Sequence, residues 1–317
     1  MMKAALFDIV KLAILKLLVL VDWIRRLVNP VEGKIVRSGQ GEQSAGSRKT
    51  LCVLAHFDRD GVVDDYVVSY LQALDELGCE TVFVSTAKNL DDDSIRKITP
   101  FCSTFIIKQN VGYDFASWRT GLEAAGDLSA YDRLIIANDS VYGPLQDLRK
   151  VFADMDDRSA AFWGITDSLK YGRHLQSYFL VYNKPVFQSE VFARFWRKLP
   201  DYRHKYVVII QGEVGLSRRL VAAGFDFAAY CPIETVQEGQ QADVGRLEAK
   251  FRDPRVSPTH RGWRALMRAG CPFLKVGLLR DNPMHVPDLD NWETVLGEVS
   301  GYDLDLIRNH LARVKGN

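Results

Sequence analysis

The chain has 317 residues, enough for one large domain or two small ones, and its 47% hydrophobic content excludes a disordered chain. Its 41 Lys and Arg against 40 Asp and Glu leave a net charge of +1, so the global balance excludes a partner drawn in by bulk charge, nucleic acid above all. Five cysteines, odd in number and with no pair two residues apart, exclude a zinc or dithiol motif and read as small core residues of a reducing compartment.

Residues 1–30 differ from the rest. Ala4 to Val21 is apolar but interrupted at Asp8, Lys11 and Lys16, and no charge-free run reaches the roughly 18–20 residues of a spanning helix. At about 100° per residue, Asp8, Lys11, Asp22, Arg25 and Arg26 share one side, a pattern that predicts an amphipathic helix lying in a membrane surface with Trp23 at the headgroups. A helix docked on the domain is the alternative. Charges within the apolar stretch and the lack of a small-residue cleavage site speak against a signal peptide.

Residues 31–48, with polar and glycine-rich Ser38 to Ser47, read as a linker. The main domain is expected over 49–245. Apolar runs Leu51 to His56, Thr81 to Ser85, Thr104 to Lys108 and Leu134 to Ala137 alternate with helix-period segments at Val62 to Leu77, Asp92 to Lys97, Phe115 to Ala125 and Leu145 to Met155. That rhythm predicts an α/β fold, a mostly parallel Rossmann-like sheet flanked by helices. Strands at Ala160 to Gly164 and Tyr178 to Tyr182, then helices at Glu190 to Lys198 and Gly215 to Ala223, make the second half mixed. Residues 246–317 are expected as a helical extension packing on the domain.

Two strand ends carry polar clusters, Asn110-Val111-Gly112-Tyr113-Asp114 and Asn138-Asp139-Ser140. Neighbouring parallel strands deliver their carboxyl ends to one crevice, so these side chains are expected to converge on a ligand. Asn138-Asp139-Ser140 also reads as a turn before Tyr142-Gly143-Pro144, and Asp114 as the N-cap of a helix starting at Phe115.

By Asn110 to Trp118 and Asn138 to Pro144 the chain resembles the rhamnan synthesis protein F family of bacterial polysaccharide proteins, which carry a GT-A glycosyltransferase-like domain. Phe162 to Thr166 with His174 to Phe179, Gly212 to Ser217, and Gly270 to Lys275 with Leu279 to Pro283 follow in the family's order. The resemblance implies transfer of a sugar, rhamnose or another deoxyhexose, from a nucleoside diphosphate sugar to a glycan or lipid-linked acceptor of a growing surface polysaccharide. It implies a cytoplasmic protein peripheral on the inner membrane surface, beside other polysaccharide synthesis enzymes and with no nucleic-acid partner.

The resemblance also assigns residues. Asn110, Gly112, Asp114, Asn138, Asp139 and Ser140 fall where such enzymes meet the donor, and Asp139 stands at the place of their divalent metal motif, for Mg or Mn. A lone carboxylate there is thin, because hard cations prefer several oxygens. His260 is a possible late ligand, and Arg261, Lys275 or Arg280 are candidate metal-free partners of the diphosphate. Glu213 is the candidate general base, with stabilisation of its own helix N-terminus as the bland alternative. His174, Gln176 and Ser177 are candidates for the acceptor hydroxyls, and Trp118 and Trp163 either stack on a ligand or fill the core.

Two rival readings remain. His56-Phe57-Asp58-Arg59-Asp60-Gly61 after an apolar strand is similar to the first motif of haloacid dehalogenase-type phosphatases, with Asp58 as nucleophile, Asp60 as acid/base, and Ser85 and Lys108 in support. A catalytically inactive scaffold of a polysaccharide synthase is the other.

Overall fold

The computed structural model describes residues 17–22, 24–25, 33–242, 258–287 and 289–315. Most of the proposed membrane helix, with Asp8, Lys11, Lys16, Trp23 and Arg26, and the expected domain boundary at 245/246 lie outside the described residues.

Hydrophobic runs of five to seven residues fix the centre. The strands β2 (Thr50–His56), β3 (Cys79–Ser85), β4 (Thr104–Lys108) and β5 (Arg133–Asn138) pair in parallel in the order β4-β3-β2-β5. Beyond β5 come β9 (Phe179–Asn183), antiparallel to both its neighbours, then β7 (Phe162–Ser168) and β10 (Phe227–Cys231), parallel to each other. The two-residue β8 (His174–Leu175) turns back along the end of β7. Side chains alternate between two cores: Cys52 and Leu54 of β2 enter one, Leu51, Val53 and Ala55 the other. Both faces are therefore covered, and the strands read as unbroken apolar runs with no polar alternation.

The helices are α1 (Asp65–Glu76), α2 (Asp92–Ile98), α3 (Tyr113–Ala125), α4 (Leu148–Asp156), α5 (Lys184–Phe187), α6 (Glu190–Lys198), α7 (Lys205–Val208), α8 (Val214–Ala222), α9 (Ile233–Ala242), α10 (Pro258–Arg261), α11 (Trp263–Arg268), α12 (Val276–Arg280), α13 (Trp292–Val299) and α14 (Leu304–Lys315). Local capping starts several of them: Asp91 accepts from the Ser94 N–H, Asp147 from Arg149 and Ser189 from Phe192. The α3 and α6 faces join the core that holds Val53, and the C-terminal helices cover the opposite core through Leu278, Leu296 and Ile307. A two-stranded antiparallel ladder of β6 (Val141–Tyr142) and β11 (Leu274–Lys275) ties the C-terminal region to the end of β5.

Three expectations are corrected. Part of the 31–48 linker is a strand, β1 (Ile35–Gln40), antiparallel to β4 at the sheet edge. The polar stretch after it is bonded down as well: Gln43 alone reaches Asp75, the Cys79 carbonyl and the Thr81 N–H. Its side chain thus replaces the burial that the composition lacks.

Asp114 is not an N-cap, because α3 starts two residues earlier than expected, at Tyr113, capped by Gly112 at φ +84°. At Gly112 a Cβ would meet Ala116 Cβ at 2.4 Å and Asp201 at 3.1 Å, so close packing as well as the left-handed turn demands glycine. The polar face of the N-terminal helix is also reversed at Asp22, which is buried and accepts from the Arg203 N–H. Leu18 and Val19 pack on the domain, while Leu17, Leu20 and Ile24 are exposed.

Candidate functional site

The carboxyl ends of β2, β3 and β5, the first turn of α3 and the short strand β11 deliver polar side chains to one place. Asn138, the last residue of β5, is its hub. Its Nδ2 donates to Asp114 Oδ2 at 2.8 Å, and its Oδ1 accepts the Ser140 hydroxyl at 2.5 Å. Lys275 Nζ donates to Ser140 Oγ at 3.0 Å and lies 4.3 Å from the centre of the Tyr178 ring. A continuous relay thus runs Lys275, Ser140, Asn138, Asp114. The relay spans strand ends far apart in sequence because Lys275 pairs with Val141 across the β6–β11 ladder.

Asp139 turns the other way, toward β2. Its Oδ2 accepts the Phe57 N–H at 2.9 Å, Tyr66 donates to its carbonyl at 3.0 Å, and His56 Nε2 lies 3.8 Å from Oδ2. Burial, with the Asp114 and Asp58 charges adding to it, pushes the Asp139 carboxyl up to about 8. Burial likewise lowers His56 to about 4, so it is neutral, with Nδ1 2.9 Å from Ser85 Oγ. The Lys275 ammonium falls to about 8 by burial, against the pull of Glu213 and Asp114. Burial raises Asp114 as well.

The acceptor candidates form a second group. Glu213 Oε2 accepts both the N–H and the hydroxyl of Ser177 at 2.7 Å, and Oε1 lies 3.3 Å from His174 Nε2. Nδ1 of His174 faces the Gly172 carbonyl at 2.7 Å, so both ring nitrogens meet acceptors and the ring is held as imidazolium. Burial opposes that charge, but Glu213 outweighs it and the His174 pKa rises. Burial also opposes the Glu213 charge, yet His174 and Ser177 bring its pKa below the ordinary value. Gln176 packs back on β7, its Oε1 accepting the Thr166 hydroxyl at 2.9 Å.

Glu213 is not at a helix start. It ends the π-helical turn Ile209–Glu213, which joins α7 to α8 without a break, so the dipole explanation fails. Trp118 and Trp163 are core: the Trp118 indole donates to the Ala137 carbonyl at 2.7 Å, and Trp163 packs on Phe152 and Phe179. Asn110 is exposed beyond β4 and outside the relay. His260 faces the lysines; burial, then Lys275 and Lys205, lowers it to about 4. Arg261 follows it at the end of α10, half-buried.

The phosphatase reading is corrected on geometry. Asp58 Oδ1 accepts the Asp60 and Val62 N–H groups, and Oδ2 takes Arg313 Nη2 at 2.6 Å, so neither oxygen is presented for attack. Ser85 is bonded to His56, and Lys108 lies against Gly33 with Asp201 as its main charge partner.

The donor set does not suit a divalent metal. Asp139 has one oxygen committed to backbone and a raised pKa, Asp114 is bonded to an amide, and a lysine ammonium sits on Ser140. Among the described residues no three His, Cys, Asp or Glu side chains stand close enough to share an ion.

Sequence reasoning gave no role to His56, Tyr113 or Lys205. Tyr113 is exposed at φ +56°, a conformation rare for a bulky residue, at the mouth of α3. Its place in the Asn110 cluster was the signal for it. Lys205 has none, since only the fold sets its charge beside Asp114 and Lys275.

Comparison with known proteins adds the following. The family model described as rhamnan synthesis protein F matches residues 81–317. The virulence protein VirA of Vibrio anguillarum is 31% identical over 232 residues, 66% of this chain and 74% of that protein. The uncharacterised protein y4gN of Sinorhizobium fredii is 28% identical over 221 residues, 68% of this chain and 56% of that one. Among solved structures, the glycosyltransferase GlyE of Streptococcus pneumoniae superimposes with a TM-score of 0.39 at 11% identity, over 85% of this chain and 64% of that one. That likeness is too distant to bear on the reaction. No helix among the described residues is long and apolar enough to cross a membrane.

Proposed function

Because the chain belongs to the rhamnan synthesis protein F family, we propose that it is a nucleotide-sugar-dependent glycosyltransferase that extends a bacterial surface polysaccharide with rhamnose or another deoxyhexose. The observation that carries this reading is the relay from Lys275 through Ser140 and Asn138 to Asp114, beside the buried Asp139, at the carboxyl ends of parallel strands. Such a crevice suits a polar, anionic ligand with a flat base. Exposed Asn110 and the Tyr113 ring are the groups offered to the nucleoside, and Asn138, Ser140 and Asp114 those offered to the sugar and its phosphates.

In the proposed reaction the bond between the anomeric carbon and the diphosphate oxygen breaks, and its electron pair leaves with that oxygen. The acceptor hydroxyl forms the new bond and gives up its proton. Glu213, ionised at neutral pH and 17% exposed, is the carboxylate placed to receive it. Ser177, now bonded to Glu213, marks where the acceptor hydroxyl would sit, and His174 fixes the carboxylate from behind. The exposed stripe of Leu17, Leu20 and Ile24 supports docking on the cytoplasmic face of a membrane, where a lipid-linked acceptor would be found.

The test is the purified chain supplied with a panel of nucleoside diphosphate sugars and polysaccharide acceptors. Release of nucleoside diphosphate should fall by at least about a hundredfold in Glu213→Ala. Correctly folded protein that neither binds nor turns over any donor would overturn the transferase reading and leave the scaffold.

A further inference from the structure

The donor crevice lacks a metal's ligand set, and the cation it does contain is built in. Lys275 is held by main-chain pairing to Val141, its ammonium rests 4.3 Å from the Tyr178 ring centre, and one N–H is spent on Ser140 Oγ. An ammonium has three donors, so two remain to face an anion. Lys205, at the start of α7, is exposed and close enough to shift the Asp114, Lys275 and His260 equilibria. His260, the candidate late metal ligand, sits with these two lysines and is kept neutral.

We propose that Lys275 takes the place of the divalent metal and holds the diphosphate of the donor, so that nucleotide binding is independent of metal. This rests on the nucleotide-sugar reading above and deepens it. A single buried carboxylate beside a lysine is a poor cage for a hard cation, whereas an ammonium carried on a paired strand neutralises diphosphate charge without a coordination shell. When the anomeric bond breaks, the electron pair moves to the diphosphate oxygen beside that ammonium, and no proton has to transfer from it. Tyr178 then has a role its burial alone does not explain. The ring offers the cation a face in place of water and leaves the remaining N–H donors to the ligand.

The test is calorimetric titration of the full chain with uridine, guanosine and thymidine diphosphates, each in EDTA and again with magnesium or manganese. Binding in EDTA, changed less than about twofold by either metal, is the expected result. Charge-assisted bonds to a diphosphate are worth enough that Lys275→Met should lose about 10- to 100-fold in affinity. Lys275→Arg should keep most of it, and affinity for the free nucleoside should not change.

A variant that unfolds is recognised by its circular dichroism, and Lys275→Arg then carries the test. Wild-type binding that vanishes in EDTA and returns with manganese overturns the metal-free proposal while leaving the nucleotide site standing. So does a folded Lys275→Met that binds diphosphates as well as wild type. Wild type that binds no nucleoside diphosphate under any condition overturns the nucleotide-sugar reading itself.

Discussion

The β2–α1 loop, residues 57–64, hangs between two charge clusters that have been settled in opposite ways. At its start the Phe57 N–H is bonded to Asp139, in a crevice where burial prevails: Asp139 is raised to about 8, Lys275 lowered to about 8 and His56 to about 4. Farther along, Asp58, Asp60 and Asp64 all contact Arg313 of α14, and there pairing prevails. Burial acts on Asp58 too, but Arg313 and two backbone N–H groups still hold its carboxyl below the usual range. The clamp's charges are satisfied by the protein. Those of the crevice are held at a cost that only a ligand would relieve, the signature expected of a functional site.

The sharpest way to break that contrast is to remove one cation from each cluster and compare stabilities. Arg313→Met leaves three carboxylates without their common partner and should cost about 2–3 kcal/mol, less than a fully buried pair because Arg313 keeps 22% of its side-chain surface exposed. Lys275→Met removes an ammonium that burial disfavours, beside an aromatic ring, and should cost under about 0.5 kcal/mol or stabilise slightly. Urea unfolding midpoints decide it. Equal losses in the two variants would mean that the crevice lysine is structural.

A second test titrates the crevice. Below about pH 8 Asp139 holds its proton and Lys275 its charge, so the pair carries +1; above, Asp139 is anionic and Lys275 neutral, and the pair carries −1. Both changes repel an anion. Of the other groups around them, His56 and His260 titrate near 4 and the lowered Glu213 is ionised throughout, while Asp114 and His174, both raised, gain negative or lose positive charge as pH rises and so act in the same sense. Nucleoside diphosphate affinity should therefore fall by about tenfold or more between pH 7 and pH 9, since each pKa unit of differential binding is worth about 1.4 kcal/mol. A flat profile, or one unchanged in Lys275→Met, would show that these charges do not face the ligand.

The two clusters also differ in how far the sequence revealed them. The parallel strands were legible as apolar runs because both sheet faces are covered, and Asn138-Asp139-Ser140 was legible because polar residues end such a run. Lys275 was reached only through the family resemblance and Arg313 not at all, because neither contact is set by neighbours in sequence. One reaches Ser140 across 135 positions and the other reaches Asp58 across 255, contacts that only the β6–β11 pairing and the docking of α14 create. The antiparallel β1 was hidden by a composition with little to bury, since its pairing lies at an exposed edge. Glu213 was found but misplaced at a helix start, because a π-helical turn that continues from α7 leaves no cap or breaker to read.

The smallest effect concerns the pair that resembles the clamp yet lies on the acceptor side. His174 and Glu213 satisfy each other, which by the logic of Arg313 makes them structural, while the accessible edge of Glu213 makes it the candidate base. Linkage separates the two contributions. The His174 pKa is raised on folding, so its stabilisation is full below about 6.5 and is lost as pH rises through the folded value; the lowered Glu213 pKa adds stability above about 4.5 that is lost as pH falls below it. Glu213→Gln keeps an oxygen for Ser177 but removes the charge. The stability difference between wild type and this variant should accordingly be greatest between the ordinary values, about pH 4.5 to 6.5, and shrink as pH rises through the raised His174 value. The raised Asp139 also costs stability as pH rises, but it is common to both proteins and cancels in the difference. A difference independent of pH would mean that His174 is neutral and that Glu213 stands unpaired, which would make it a stronger base than its present partners allow.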